Sequence, residues 1–421
     1  MKEITAGDTM HVYGSFGLKM DYTVRLCIRM KDEVNAEMLS LALKDTEKRY
    51  PYLSLRMKKD ASRLFYEENP EPVVLLHTDR KISLNASETN YHVWAVCYNG
   101  DMIYLDIFHG LLDGTGMYMV LSTLLYGYCS RRYGVTDHTG VRTLEDDIRP
   151  EEMIDPWDHL PDIDLTKIPT PDFKPAFSLL HDAGLPQDEL EVIDLIIPEA
   201  DFLKFTSAND ASPGTMISLL FARTIDELYP EREKGIMSSY VINGRPMLNA
   251  SMDHHNCVHT VFMDYSDRIK TMPFDRQCTV YRGKTFVQSD ADRVAGAMTV
   301  NACRNRMIAK SIPTVEGKME TFAKMLSGGR MLFTFMVSYV GKWKYKAVEP
   351  YISEFWTHVP PANSCLSEIA AVGGNIFLSV HQQFRDDTIL QSFIRELKSN
   401  GVDCMMKKRL TADIPHFVMP E

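Results

Sequence analysis

Several features that announce a particular chemistry are missing from this sequence. No apolar run approaches the ~20 residues needed to span a bilayer, so no transmembrane segment is expected. The opening Met-Lys-Glu-Ile-Thr-Ala-Gly-Asp has no apolar signal-peptide stretch, which makes the cytoplasm the expected location. The eight cysteines (Cys27, Cys97, Cys129, Cys257, Cys278, Cys303, Cys365, Cys404) are scattered without a Cys-x-x-Cys pair. In a reducing compartment they read as plain thiols, neither disulfides nor zinc ligands. Positive charge is in deficit, with 46 Lys and Arg against 57 Asp and Glu and a net charge of -11. Nucleic acids and anionic membranes both call for a concentrated basic surface, so neither is an expected partner. No Gly-x-Gly-x-x-Gly or Gly-x4-Gly-Lys-Ser/Thr loop occurs, which removes the dinucleotide and P-loop folds. The absence of a Gly-x-Ser-x-Gly elbow argues against a covalent serine intermediate.

What is present is a folded chain of 421 residues, 45% apolar and 24% charged. That length exceeds one ordinary core and predicts two domains or one bilobed unit. The opening reads as strand (22–30), helix (35–49, stopped by Pro51) and a hairpin around Asp60-Ala61-Ser62. A strand over 92–98 meets Asn99-Gly100-Asp101, a strong hairpin signal. From 135 to 188 prolines and acids cluster (Asp146, Asp147, Pro150, Pro156, Pro161, Pro169, Pro171, Pro175, Pro186) and periodicity fades, as in a connecting segment. Beyond it strands are expected over 190–197, 235–243, 258–265, 331–340 and 376–382, with helices over 213–228, 291–308 and 387–399. The division is an N-terminal lobe, 1–175, and a C-terminal lobe, 176–421. Both mix strands with helices, so the class is α/β or α+β with one sheet per half.

The most informative stretch is Met102-Ile-Tyr-Leu-Asp-Ile-Phe-His109-Gly-Leu-Leu-Asp113-Gly114-Thr-Gly116. A β-rich run drives into a histidine, an aspartate and a glycine follow, and a helical pattern begins with Met117, Val120, Leu121, Leu124, Leu125 and Tyr128 on one side. An imidazole at the end of a buried strand can take a proton from a hydroxyl or amine and pass it on. The competing reading is a strand-end histidine satisfied by backbone groups.

Phe108-His109-Gly-Leu-Leu-Asp113-Gly114 resembles the His-x-x-x-Asp-Gly signature of the chloramphenicol acetyltransferase-like superfamily, with Phe108 replacing a frequent leading histidine. That superfamily includes nonribosomal-peptide condensation domains, plant BAHD acyltransferases and bacterial alcohol acetyltransferases. Val241-Ile-Asn243-Gly244-Arg245-Pro246 resembles a condensation-domain stretch in which Gly-Arg follows a strand. Ser338-Tyr-Val-Gly341-Lys-Trp343 resembles a late segment of the superfamily, with Tyr339 departing from the usual Asn. The resemblance implies two lobes, each a mixed sheet covered by helices, with an active-site channel between them. It implies His109 as general base, Asp113 as a structural residue turned from the substrate, and Gly114 in the turn. It also implies acyl-CoA as co-substrate, a small-molecule alcohol or amine acceptor, direct transfer in a ternary complex, and no tightly bound cofactor. Two alternatives stay open: a carrier-protein phosphopantetheine thioester as donor, and a catalytically silent scaffold.

Other residues carry paired readings. Arg245 is either the bidentate partner of a buried Asp113 or a solvated turn arginine. Ser338 and Thr334 are either oxyanion donors or ordinary strand hydroxyls. Gly114 and Gly116 either admit the acyl group or permit the turn, the turn being the simpler account. The 25 methionines suit a pliable pocket or a filled core. His254, His255, Cys257 and His259 look like a metal cluster, with the last three on one face if they form a strand. No second ligand group accompanies them, so no metal is expected.

Overall fold

Local chemistry sets many of the boundaries in the computed structural model, which describes residues 2–168, 174–360, 364–411 and 414–420. Pro169 and Pro171 of the connecting segment lie outside the described residues. The first part of the chain runs β1 (Lys2–Glu3), α1 (Thr9–Gly17), β2 (Thr23–Met30), α2 (Ala36–Arg49), β3 (Leu55–Lys59), β4 (Leu64–Glu68), β5 (Leu75–His77), β6 (Ser83–Leu84), β7 (Trp94–Asn99), β8 (Met102–Phe108) and α3 (Gly114–Tyr133). After the connection come β9 (Glu191–Pro198), α4 (Glu199–Ala208), α5 (Pro213–Leu228), β10 (Ile236–Asn243) and β11 (Val258–Tyr265). Four helices follow, α6 (Asp267–Lys270), α7 (Phe274–Gln288), α8 (Ala291–Ser311) and α9 (Val315–Arg330). The chain closes with β12 (Phe335–Lys342), β13 (Ile352–His358), β14 (Cys365–Val372), β15 (Asn375–Gln382), α10 (Thr388–Ser399), β16 (Met405–Thr411) and β17 (His416–Phe417).

The caps follow residue chemistry. The Asn35 side chain accepts the Met38 amide at 3.0 Å, and Ser212 with Thr215 boxes the start of α5 ahead of Pro213. Gly134 ends α3 in the left-handed region, at φ 73°. In the β7–β8 hairpin Asn99 is the last strand residue, and Gly100 takes the positive φ of 57° that the first loop position of a type II′ turn requires.

Two sheets dominate. A seven-stranded mixed sheet has the order β11-β10-β12-β14-β15-β9-β16, and a five-stranded mixed sheet the order β13-β2-β8-β7-β5. Smaller sheets are β1-β4-β3 and β17-β6. The reading of one sheet per half needs correction, because β13 pairs antiparallel with β2 and β17 pairs with β6. Two late strands thus complete sheets begun by the first part of the chain. Pairing partners more than 300 residues away leave no mark on local periodicity. Helices α1, α7 and α9 and strands β13, β14 and β16 were also not anticipated. In α7 only Gln277, Cys278 and Tyr281 are buried, too narrow a stripe to read as amphipathic.

One face of the seven-stranded sheet, with Phe335, Val337, Ile369, Ala371, Leu378 and Val380, packs under α5 and α10. The other face turns toward the first lobe, and its Leu366, Ala370 and Phe377 join that lobe's core. On this same face the registered row Val241, Ser338, Glu368 is only half-buried, as are Met336 and Val340 beside it. Half-exposure in the middle of a sheet that faces another lobe marks a solvent-accessible gap between the lobes. The connecting segment is anchored rather than loose: Glu152 is buried and takes both guanidinium arms of Arg49 (2.8 and 2.9 Å), while Trp157 joins a third small core with Cys257, Val294, Met298 and Ala302. No helix among the described residues is long and apolar enough to cross a membrane.

Candidate active site

β8 delivers His109 one residue past its end. The His109 amide donates to the Tyr22 carbonyl at 2.8 Å, which extends the β2–β8 pairing and fixes the backbone there. Its ring stacks on Tyr22, centroids 4.8 Å apart and planes within 4°, and Tyr22 stacks in turn on His11 at 5.9 Å. The imidazole is half-buried, and its Nδ1 has no hydrogen-bond partner. Burial lowers its pKa; its own backbone, the Asp113 carboxylate and the Leu112 backbone offset part of that. The ring is therefore neutral near pH 7, the state a general base needs.

Asp113 is completely buried and caps α3, accepting the Gly116 amide at 3.0 Å. Arg245 grips it with both terminal nitrogens, at 2.7 and 2.6 Å, and the Cys257 amide adds a bond at 3.1 Å. The carboxylate is thus fully committed to shaping the turn. Arg245 is itself 2% exposed and also donates to the carbonyls of Asp253 (2.9 Å) and His255 (2.7 Å). One guanidinium therefore ties the His109 turn to the 253–257 loop of the second lobe. The two glycines of the turn are hemmed in. A Cβ on Gly114 would lie 2.6 Å from Val340 Cγ2, and one on Gly116 would lie 2.4 Å from the His254 carbonyl oxygen.

The histidine cluster is tied into hydrogen bonds within the protein. His254, His255 and Cys257 lie before β11, so they do not share a strand face with His259. Asp253, His254 and His255 do come together, yet both His255 nitrogens are occupied: Nδ1 meets Asp253 at 2.5 Å and Nε2 meets the Lys2 ammonium at 2.7 Å. His254 Nδ1 meets the Glu152 carbonyl at 2.8 Å. All eight cysteines are free and buried.

The two hydroxyl candidates differ. Thr334 is fully buried, and its hydroxyl accepts the Met237 amide at 3.2 Å within the sheet. Ser338 is half-buried on the face turned to the gap, in register beside Glu368. Gly341, two residues past the Tyr339 bulge, holds φ at 112°. The residues around the motif that sequence reasoning missed are the buried Asp8 and Asn256 and the half-buried Tyr22 and Glu368. Asp8 is fully buried and accepts from Asn256 at 2.9 Å; burial pushes its pKa up to about 8. Nothing local distinguishes such carboxylates from the chain's many exposed ones.

No family model matches the sequence, and no curated protein matches it. Solved structures match along almost the whole chain. The F. graminearum TRI101 structure with coenzyme A and T-2 mycotoxin aligns at TM-score 0.62 and 10% identity, covering 96% of this chain and 99% of that one. The first condensation domain of the calcium-dependent antibiotic synthetase, in complex with a substrate analogue, aligns at 0.61 and 14% identity over 96% and 99%. TRI3, a trichothecene 15-O-acetyltransferase from Fusarium sporotrichioides, aligns at 0.54 and 11% identity over 95% and 94%. The chain therefore has the two-lobed chloramphenicol acetyltransferase-like fold, the architecture it shares with TRI101, TRI3 and this condensation domain.

Proposed function

We propose that this protein is an acyltransferase that moves an acyl group from an acyl-CoA thioester to a hydroxyl or amine of a small molecule. The observation that carries this reading is the division of labour at the motif. Asp113 is locked away on Arg245 and the Gly116 and Cys257 amides, while a neutral, half-exposed His109 is held flat against Tyr22.

His109 takes the proton of the acceptor as its oxygen or nitrogen attacks the thioester carbonyl. The resulting oxyanion is held by donors at the start of α3 and on β12, with Ser338 as the side-chain candidate; Thr334 is spent inside the sheet. The intermediate collapses, the C–S bond breaks, and His109 returns the proton to the leaving thiolate. Transfer is direct, with no acyl-enzyme. Likeness to structures holding coenzyme A supports the free CoA donor. Likeness to a condensation domain supports a second reading, in which the thioester is carried on a phosphopantetheine arm.

The test is thiol release from acetyl-CoA and longer acyl-CoAs in the presence of pooled alcohols and amines. His109→Ala should reduce acceptor-dependent release about 10²- to 10⁴-fold. The acid limb of kcat/KM should fall below pH 6.5, because the ring's pKa is lowered. A folded wild type no faster than the variant on either CoA- or carrier-bound donors would leave a binding scaffold as the better reading.

A further inference from the structure

Glu368 is the chemistry-bearing group that this mechanism leaves unused. It sits on β14 directly beside Ser338 of β12, on the sheet face turned to the first lobe, and it is half-buried where Leu366 and Ala370 on the same strand face are buried. Tyr118 of α3, about 6 Å (one helical turn) along from Gly114, is close enough for the Glu368 charge to act on it. Tyr118 is 8% exposed, its ring rests on Trp343 and Phe355 at 5.6 and 5.2 Å, and its hydroxyl is buried without a hydrogen-bond partner. Glu368 and Tyr339 are the charged and polar neighbours that act on that phenol. Among the described residues no lysine, arginine or histidine pairs with Glu368.

A half-buried carboxyl group without a cationic partner, acting on a buried phenol that has no hydrogen-bond partner, is an incomplete site. Burial pushes the Glu368 pKa up to about 7, with Ser338 pulling it partly back. The carboxyl group is therefore divided between neutral and ionised forms near neutrality. An incoming ammonium group would supply the missing charge, give the Tyr118 oxygen a donor, and leave the Ser338 hydroxyl free to turn toward the reacting carbonyl.

We propose that Glu368, with Tyr118 and Ser338, is a recognition site for a cationic amino group on the acceptor, so that the acceptor class is amino alcohols or diamines whose second polar group is presented to His109. The proposal rests on the acyltransferase reading, but the binding it describes needs no turnover.

The probe is 6-amino-1-hexanol, compared with 1-hexanol and 1,6-hexanediol by isothermal titration calorimetry at pH 7. The amine should bind at least tenfold more tightly than either neutral homologue. Its binding should also release protons from Glu368, seen as a dependence of the measured heat on buffer ionisation enthalpy. In Glu368→Gln and in Tyr118→Phe the preference should fall at least fivefold, with thermal unfolding confirming that both variants fold, and in Glu368→Gln the proton release should vanish. Equal affinity for amine and neutral homologues, or an undiminished preference in folded Glu368→Gln, overturns the proposal. Selective amine binding that needs Glu368, together with no thiol release from any donor, would retain the site and reject the acyltransferase reading. Thiol release without amine selectivity would do the reverse.

Discussion

Replacing Arg245 by Met isolates the interaction that ties the second lobe to the His109 turn. The side chain makes two bonds of 2.6 and 2.7 Å to Asp113 and two to the carbonyls of Asp253 and His255. Both partners of the ion pair are essentially unexposed, at 2% and 0%. Methionine fills most of the volume, so the loss is electrostatic. Removing one member of a buried pair costs about 3–5 kcal/mol, because the remaining charge stays buried. Asp113 would retain only the Gly116 and Cys257 amides, and two carbonyls would lose their donor. An unfolding entropy of ~2.1 cal/mol/K per residue gives ~0.9 kcal/mol/K for 421 residues melting as one unit, so a loss of ~4 kcal/mol lowers Tm by about 4–5 °C. Differential scanning calorimetry on Arg245→Met, Asp113→Asn and the double variant measures the coupling, expected at ~2 kcal/mol or more. Acyl transfer should fall with it, since the His109 turn loses its anchor. A Tm shift below about 1 °C for Arg245→Met, or strictly additive single losses, would refute the argument that this buried pair organises the site.

Gly116→Ala should destabilise the protein more than Gly114→Ala. The first Cβ would meet the backbone carbonyl of His254 at 2.4 Å, which cannot move without the loop, while the second meets a side-chain methyl of Val340. Losses of roughly 1–3 kcal/mol are expected for such overpacking, read by chemical denaturation, and the reverse order would contradict the geometry. The buried His358 joins the two large sheets, its Nε2 3.3 Å from both Asp194 oxygens and its Nδ1 3.7 Å from Cys27 Sγ. Burial opposes its charge, yet Cys27 and Asp194 outweigh burial and hold its pKa up at about 10. A histidine raised in the folded state contributes stability that is complete below its ordinary 6.5 and lost as pH rises through about 10. Unfolding free energy should therefore fall over that window in the wild type and fall less in His358→Gln; parallel profiles would show the pair carries no such linkage.

Much of the candidate site's architecture was legible because it is local. The run from Met102 to Gly116 encodes a strand, a turn and a capped helix in consecutive residues, and the structure has β8 ending at Phe108 and α3 beginning at Gly114. The bounds of α5 and β11 fall where Pro213 and the alternation from Val258 place them. Apolar periodicity, caps and turn residues act over a few positions, so a sequence displays them directly. What tertiary structure alone decided is long-range. It brings β13 back to pair with β2, seats the Lys2 ammonium on His255, and packs Val340 against Gly114. The same holds for the surroundings of polar groups: Asp8, Asp113 and Glu368 are chemically ordinary acids in the sequence. The lobes packed around them decide their partners and what each can do. Desolvation and pairing depend on every element that packs against a residue, and spacing along the chain does not carry that information.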